Sequence, residues 1–375
     1  MLKIGIDLLW VRPQKVGGSE SYVRNLLDGF SNNSSNEFKF ILFVSKDNEY
    51  SFLTYENNSN FILKRCNVRS EKILSRIIWE NLFLNKIAAK EKIDVMFIPI
   101  YSKPFFRKKL SYVTTIHDLQ ALHYPEYFSR LKNIWLKFSW KNSIKTSKKI
   151  ITISNFVKDD ILKNFNVRQD EIQVIYNPVK IQEDMSNFEE LSKKLKIESK
   201  KYFYTVSSML PHKNLEVLLN LIKKLKMESN YEIPNKLVIS GIGGTQKEPL
   251  VNLINNLKIE GNIIMSGFVS NSERNSLYKN AYAFLFPSIF EGFGMPPIEA
   301  MMLGTPVITT KLASIPEVTQ GKCIYVDDPK NVEEWYEKII KIQDMNFNKC
   351  IFEEYHLERI SKKYLETFYK IVNKN

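Results

Sequence analysis

Short apolar segments alternate with helical segments along most of this 375-residue chain, and this alternation restricts its fold more than any other feature. Strand-like runs at 3–8, 38–44 and 95–98 are separated by helical stretches, and the alternation starts again at residue 202. Short buried strands that alternate with helices form parallel sheets covered on both faces. Two such runs predict an α/β protein with two doubly wound, Rossmann-like domains that face a central cleft.

A polar segment between the two runs sets the predicted domain boundaries. Residues 181–194 are polar and charged without a clear apolar period, so we expect them to form a linker. The N-terminal domain then covers residues 1–180 and the C-terminal domain residues 195–355, and both lengths suit a single core. Residues 356–375 belong to a final helical stretch.

Composition excludes several classes of protein. The chain is 44% hydrophobic and 25% charged, which is ordinary for a globular protein and not for a disordered or fibrous one. No uncharged apolar run approaches the ~18 residues of a membrane-spanning helix. Asp7 interrupts the first apolar run, so we do not expect a secretion signal. Cys66, Cys323 and Cys350 are isolated, which favours buried thiols in a reducing cytoplasm over a zinc site or disulfide set.

The positive charge of the chain is concentrated in its first half. The formal net charge is +13, of which residues 1–180 contribute +12 and residues 181–375 contribute +1. A basic N-terminal domain indicates an anionic partner, such as a phosphorylated ligand, a membrane surface or a nucleic acid. The alternative is a solvated surface with an incidental charge bias.

Residues 286–308 carry the most chemical information in the chain. They are predicted to form a strand, a glycine-containing loop, a helix and another strand. Glu291 falls in the loop, while Pro297 and Glu299 are predicted in the first helical turn, where free amides and the helix dipole attract anions. Gly292 and Gly294 would let a ligand approach the backbone. Amides between two carboxylates suit a sugar nucleotide; the alternative is that Glu291 is solvated and Glu299 only stabilises the helix start.

Seven residues separate Glu291 and Glu299 within Glu-Gly-Phe-Gly-Met-Pro-Pro-Ile-Glu-Ala, which resembles the paired-glutamate signature of the retaining glycosyltransferases of family 4. That family has the GT-B fold. The resemblance continues through Gly304-Thr-Pro-Val-Ile308 and Ser314-Ile-Pro-Glu317. It implies that Glu291 contacts the hydroxyls of the donor sugar and that Glu299 binds the ribose. It also implies that the sugar and diphosphate are held by the loop residues Gly292, Phe293, Gly294 and Met295.

Two segments of the N-terminal domain resemble the same family. Gly17-Gly18 looks like its first glycine loop, which approaches the donor phosphates and the acceptor. Thr115-Ile-His-Asp118 looks like a strand end whose histidine, here His117, faces the reaction centre. Asp118 is placed to orient that ring, although a lone histidine can also be purely structural.

Further segments of the C-terminal domain resemble donor-binding parts of the family. Pro211-His-Lys-Asn-Leu215 resembles its phosphate-gripping segment, and Lys213 matches the diphosphate lysine. The chain departs from the family at two positions: Ser207 stands where many members have Arg, and His212 stands where others have Arg. We therefore expect His212 to contribute to phosphate binding in a pH-sensitive way. Gly241 and Val269 resemble residues at strand ends that line the base pocket.

The resemblance also predicts how the reaction proceeds. The chain has no Asp-x-Asp motif, so we expect neither a metal nor any other cofactor. Lys213, loop amides and a helix N-terminus would then stabilise the leaving diphosphate. The resemblance implies retention at the anomeric carbon, with the acceptor attacking the face that the phosphate leaves. Glu291, His117 and Lys213 are the predicted catalytic residues, with Glu291 orienting the sugar; the alternative, covalent attack by Glu291, is less favoured.

The acceptor is predicted to bind the basic N-terminal domain. Basic and aromatic residues together suit an anionic bilayer, and the residues expected on such a face are Lys103, Arg107, Lys108, Lys109, Trp135 and Trp140. Alternatively, the aromatic residues pack on the sheet and the lysines are solvated. We expect a glycan or polyprenyl-diphosphate-linked acceptor, and a cytoplasmic protein bound peripherally to the inner face of the membrane. No nucleic-acid recognition motif occurs.

The predicted function is transfer of a sugar to a growing cell-surface polysaccharide, such as a capsule or O-antigen. Residues 115–129 and 207–215 resemble bacterial enzymes that use GDP-mannose or dTDP-rhamnose. Two alternatives remain: a catalytically silent partner subunit that binds a membrane glycolipid, and another GT-B enzyme such as a sugar-nucleotide epimerase. The resemblance also implies that the last helix crosses back to the N-terminal domain.

Overall fold

The computed structural model describes residues 1–13, 15, 17–33, 37–105, 110–180, 185–228 and 232–373. The chain divides into two compact units. The first contains Met1–Val179 together with Glu353–Asn375, and the second contains Lys180–Phe352. Each unit has its own sheet and its own hydrophobic core.

The first unit is built on a parallel sheet of seven strands within the described residues, in the order β3-β2-β1-β4-β5-β6-β7. Its strands are β1 (Leu2–Asp7), β2 (Phe38–Ser45), β3 (Phe61–Cys66), β4 (Val95–Ile98), β5 (Ser111–Ile116), β6 (Lys149–Thr152) and β7 (Ile172–Val174). The strands β1, β2 and β4 correspond to the runs predicted at 3–8, 38–44 and 95–98. The strand β3 was not predicted, because it lies at the sheet edge, carries Lys64 and Arg65, and leaves Ile62 exposed.

Helices cover both faces of this sheet. They are α1 (Gly18–Asn32), α2 (Ile73–Trp79), α3 (Asn85–Lys90), α4 (Gln120–His123), α5 (Arg130–Thr146), α6 (Asn155–Asn164) and α14 (Leu357–Asn373). A single π-helical turn, Glu80–Leu84, joins α2 to α3.

The last helix, α14, packs on α1 in the core of the first unit. The Tyr22 and Tyr364 hydroxyls lie 2.6 Å apart, and the Tyr22 hydroxyl also lies 3.0 Å from Thr115 Oγ1. The helices touch at Gly29, where an added Cβ would lie only 2.7 Å from the carbonyl oxygen of Leu357. Gly29 is therefore required for this close contact rather than for an unusual backbone angle.

The second unit has a parallel sheet in the order β10-β9-β8-β11-β12-β13. Its strands are β8 (Phe203–Val206), β9 (Leu237–Ser240), β10 (Ile263–Gly267), β11 (Ala283–Phe286), β12 (Val307–Thr310) and β13 (Ile324–Val326). Its helices are α7 (Phe188–Leu195), α8 (Leu215–Glu228), α9 (Lys247–Leu257), α10 (Asn271–Asn280), α11 (Met295–Met302), α12 (Ile315–Val318) and α13 (Val332–Ile342).

The segment expected to be a linker contains one of these helices. Helix α7 begins after Asn187, whose side chain accepts a hydrogen bond from the Glu189 N–H, and it buries Leu191. Phe188, Leu191 and Leu195 stand at helical spacing in this segment, so the helix could have been predicted from the sequence.

Each sheet has a point at which the strand order reverses. In the second unit this point lies between β8 and β11, and in the first it lies between β1 and β4. Ligands of open parallel sheets bind outside the carboxyl ends of the strands at such points. Among the described residues, no helix is both long and apolar enough to span a bilayer.

Candidate functional site

Lys213 and Glu291 meet at the switch point of the second unit. Lys213 follows β8 and Glu291 follows β11, the two strands that flank the reversal. The Lys213 Nζ lies 2.5 Å from Glu291 Oε1, and both side chains are only partly exposed. The two residues that the family resemblance assigned to the diphosphate and the sugar are therefore joined in one ion pair.

The loop that carries Glu291 is held by hydrogen bonds on both sides. The N–H of Ile289 donates to the carbonyl of His212 at 2.8 Å, which ties this loop to the segment that carries Lys213. Ser288 Oγ lies 2.7 Å from Glu291 Oε1. The buried Ser314 hydroxyl lies 2.9 Å from the carbonyl oxygens of both Glu291 and Phe293. These contacts fix the carboxylate before any ligand arrives, which favours electrostatic preorganisation.

The first turn of α11 has fewer free N–H groups to bind an anion than the sequence led us to expect. Gly294 precedes the helix with φ +94°, a left-handed conformation that favours glycine. Pro296 and Pro297 occupy the first turn, and neither has an N–H. The loop amides up to Met295 are therefore the donors available for an anion at this end, whereas the second and third helical residues donate nothing. The predicted placement of Pro297 in the first turn is confirmed.

Glu299 lies in the second turn of α11, so its predicted position in the first turn is wrong. Its carboxylate is buried and faces α10. Tyr278 donates its hydroxyl to Oε2 at 3.1 Å, and Arg274 Nη2 lies 3.4 Å from Oε1. The negative charge of Glu299 raises the pKa of Arg274, while burial followed by the same charge raises the pKa of Tyr278.

Arg274 and Tyr278 were not among the site residues predicted from the sequence. A buried carboxylate requires a partner, and these two residues are four apart within α10, so they share a face of that helix. That spacing was the signal that could have revealed them.

Ser207 and Gly241 approach each other where β8 and β9 end. The N–H of Ser207 donates to the carbonyl of Ser240 at 3.0 Å. Gly241 has φ +92°, and an added Cβ there would lie 2.8 Å from the Ser207 carbonyl oxygen. This close approach explains the glycine without a ligand. Val269 is half-buried just after the end of β10, which is separated from β8 by β9 in the sheet.

His212 is buried beside Lys213 and carries no charge at neutral pH. Burial, and then the positive charge of Lys213, lower the pKa of His212 to about 4, although Glu291 opposes this. A neutral imidazole cannot replace the positive charge of an arginine. Without a bound ligand His212 therefore adds no positive charge near neutrality, and Lys213 provides the positive charge beside Glu291. The contribution of His212 to phosphate binding stays a prediction.

The depressed pKa of His212 predicts that acid destabilises the second unit. The unfolded chain binds a proton at this position below pH 6.5, whereas the folded unit binds it only near pH 4. The stability contributed by neutral His212 is thus complete above pH 6.5 and is lost as the pH falls to about 4. We expect His212→Gln to lose less stability than the wild type over this range in urea unfolding followed at several pH values. Parallel pH profiles for the two proteins would contradict the assignment.

In the first unit, Gly17 immediately precedes helix α1 as its N-cap. It has φ +65° and its carbonyl accepts hydrogen bonds from the N–H groups of Glu20 and Ser21. An added Cβ would meet nothing within 4 Å, so backbone conformation rather than space demands this glycine. Gly18 is the first helical residue, and both glycines are exposed.

His117 follows β5, and its ring is held by the residue just after β4 rather than by Asp118. The Nε2 atom lies 2.8 Å from the carbonyl oxygen of Pro99, so it carries the proton and Nδ1 is the acceptor. Asp118 instead accepts the N–H of Gln120 at 2.9 Å, so its expected orienting role is wrong. Burial lowers the pKa of His117 to about 4, and the Tyr22 ring packs edge-on against it at 4.8 Å.

The predicted acceptor or membrane face is only partly on the surface. Lys103 is 3% exposed, with Nζ 4.4 Å from the centre of the Tyr112 ring, and Trp140 is 2% exposed. Both lie in the interior and cannot contact a membrane. Trp135 is half-buried against Phe105. The remaining three predicted residues, Arg107, Lys108 and Lys109, lie outside the described residues.

Comparison with known proteins identifies the family. The sequence model of Glycosyltransferase Family 4 matches residues 16–183, and that of Glycosyl transferases group 1 matches residues 187–356. The first match covers most of the predicted N-terminal domain. The second match contains Lys213, Glu291 and Glu299. The chain therefore belongs to the group 1, family 4 glycosyltransferases and has their two-domain GT-B fold.

Individual relatives match over part of the chain. The chain is 34% identical over 231 residues to the O-antigen chain mannosyltransferase RfbU of Salmonella typhimurium LT2, covering 62% of this chain and 60% of that protein. It is 31% identical over 224 residues to O-antigen chain mannosyltransferase B of Escherichia coli, covering 59% and 58%. These matches span about three fifths of the relatives' lengths.

A solved structure resembles the whole chain. The structure of a glycosyltransferase from Rickettsia africae ESF-5 covers 100% of this chain and 99% of its own, with a TM-score of 0.73 and 18% sequence identity. At this identity the likeness concerns the fold alone.

Proposed function

We propose that this protein transfers a sugar from a nucleoside diphosphate to a saccharide acceptor in the synthesis of a bacterial cell-surface polysaccharide such as an O-antigen. The observation that carries the proposal is the Lys213–Glu291 ion pair at the switch point of the second unit. A diphosphate needs a cation there, and a sugar needs a hydrogen-bond acceptor. The chain supplies both, on two segments that are already tied to each other by a backbone hydrogen bond.

Binding of the donor would exchange the partners of this ion pair. Lys213 would turn to the diphosphate and Glu291 to the sugar hydroxyls, so that neither charge is left unpaired when water is excluded. The loop amides at Phe293, Gly294 and Met295 would contact the diphosphate and sugar. Glu299, held by Tyr278 and Arg274, would bind the ribose hydroxyls with its remaining lone pairs.

We propose that transfer proceeds with retention and without a metal ion. The acceptor hydroxyl oxygen forms a bond to the anomeric carbon on the face from which the diphosphate departs. The bond from that carbon to the phosphate oxygen breaks, and the hydroxyl proton passes to the leaving phosphate. Lys213 stabilises the negative charge that develops on the diphosphate.

Mannose is the donor sugar we propose, carried as GDP-mannose, with dTDP-rhamnose as the second candidate. The support is the similarity to two O-antigen mannosyltransferases at 34% and 31% identity. The acceptor we propose is a glycan or a polyprenyl-diphosphate-linked saccharide, reached from the inner face of the cytoplasmic membrane. The support for this location is the net charge of +12 in residues 1–180.

Donor identity can be tested by thermal unfolding of the purified protein with single nucleotide sugars. A ligand that binds the folded state raises the midpoint by mass action. We expect GDP-mannose to raise the midpoint of thermal unfolding. If dTDP-rhamnose is the donor instead, it should raise the midpoint and GDP-mannose should not. In either case the shift should persist in the presence of EDTA. UDP-glucose, UDP-galactose and UDP-N-acetylglucosamine serve as comparisons.

A selective shift abolished by Lys213→Ala would support the site. A shift that disappears with EDTA would contradict metal independence. No shift with any of the five donors would contradict the proposed donor and favour a subunit that binds only a glycolipid.

A further inference from the structure

Helix α5 has apolar residues on two opposite sides. Leu136, Trp140 and Ile144 point into the first unit and are buried. Leu131, Ile134 and Phe138 follow each other at spacings of three and four residues, so they form one stripe on the other side of the helix. Their exposed fractions are 81%, 66% and 55%. A helix that only covered a sheet would carry polar residues along this stripe.

The charges beside this stripe all have one sign. Helix α5 carries five basic residues and no acidic residue; the basic ones are Arg130, Lys132, Lys137, Lys141 and Lys145. Exposed apolar side chains flanked by lysines are typical of helices that lie in the interface of a bilayer containing anionic lipids. The lysine stems can extend along the apolar surface and keep their ammonium groups at the headgroups.

A second exposed apolar stripe lies on the segment Ile73–Leu84. Leu74, Ile78 and Leu82 are four residues apart and all three are exposed. Phe105 connects this segment to α5. Its N–H donates to Asn81 Oδ1 at 2.7 Å, and its ring lies 4.8 Å from the ring of Phe138. The apolar surface therefore continues from one helical segment to the next.

We propose that the stripe formed by Leu131, Ile134 and Phe138, which we call the α5 ridge, inserts shallowly into an anionic lipid bilayer. This inference rests on the proposed function, because a lipid-linked acceptor lies at such a surface. It also changes which residues make the contact. The buried Trp140 faces inward, and the opposite side of the same helix meets the lipid.

Charge favours a bilayer over a second copy of the chain. Two α5 ridges facing each other would bring two sets of five basic residues together, and neither helix carries an acidic residue to pair with them. An anionic bilayer supplies both the apolar phase and the opposite charge, and each lysine near its surface adds to the attraction.

The test is sedimentation of the full-length protein with phosphatidylcholine vesicles and with vesicles that also contain phosphatidylglycerol. We expect binding to the mixed vesicles only. Leu131→Ser with Ile134→Ser should weaken that binding at least tenfold, because both side chains leave water on insertion. Lys137→Gln with Lys141→Gln should weaken it roughly 30-fold through lost attraction to the headgroups. The matched control is Tyr50→Ser with Leu53→Ser, which removes two exposed apolar residues elsewhere on the same unit.

Failure of this inference can be told apart from failure of the proposed function. Thermal shifts with the donor, measured without vesicles, should be unchanged in all three variants because the substitutions lie outside the second unit. The proposal that the α5 ridge inserts into a bilayer would be overturned if the wild-type protein did not sediment with the mixed vesicles. It would also be overturned if the ridge variant bound those vesicles as well as the control variant does. A wild-type dimer in light scattering that the Leu131→Ser, Ile134→Ser variant abolishes would overturn it in favour of a second copy.

Discussion

Replacing Lys213 with alanine should lower kcat for sugar transfer by about 10²–10³-fold, the usual loss when one preorganised group that stabilises developing charge is removed. Lys213 Nζ lies 2.5 Å from Glu291, so the same substitution also leaves that carboxylate without its cation. Removing Glu291 instead should lower turnover with a smaller change in donor affinity. Removing Glu299 should chiefly raise the KM for the donor. Initial rates at varied donor concentration separate these effects.

Lys311→Ala is the matched control for Lys213→Ala. Lys311 belongs to the same unit and pairs with Asp327 at 3.9 Å, but both side chains are well exposed. An exposed ion pair of this kind contributes little, so rate and stability should stay close to the wild type. If Glu291→Ala and Glu299→Ala leave both kinetic constants unchanged, the assignment of the site is wrong.

Gly29→Val should destabilise the first unit by about 3 kcal/mol, because overpacking at a closed contact costs this much. Any Cβ at Gly29 would lie 2.7 Å from the Leu357 carbonyl oxygen and 3.0 Å from the Ser361 side chain. Backbone cannot move aside as a flexible side chain can, so α14 would have to shift away from α1. In urea unfolding followed by far-UV circular dichroism, the Gly29→Val variant should unfold at a lower urea concentration than the wild type.

A glycine in open space provides the comparison for this substitution. An added Cβ at Gly261 would meet nothing within 4 Å. Gly261→Val should therefore leave the unfolding midpoint close to that of the wild type. Equal midpoints for the two variants would mean that the contact between α1 and α14 does not constrain the first unit.

The sequence predicted those parts of the site that depend on local order. Glu291, Lys213 and Gly294 each follow a strand or precede a helix, and a pattern along the chain is enough to place them. The strand β3 escaped prediction because an edge strand with exposed Ile62 lacks a continuous apolar run.

Contacts between distant segments could not be predicted in the same way. The partners of Glu299 come from another helix, and the ring of His117 is held by a backbone carbonyl that has no sequence signature. The two-sided character of α5 was also hidden. Its lysines and aromatic residues were visible in the sequence, but only burial distinguishes Trp140 from Phe138.

The position of α14 has a consequence for how the protein is made on the ribosome. The hydroxyl of Tyr364 reaches Tyr22, and Phe368 lies in the same core as Phe30. Since chains are synthesised from the N-terminus, the unit whose first strand emerges earlier lacks part of its interior until Leu357–Asn373 has been made. The second unit is complete at Phe352 and can fold before it. The half of the molecule made first is thus the last to be finished, and until then its apolar surface needs protection from aggregation.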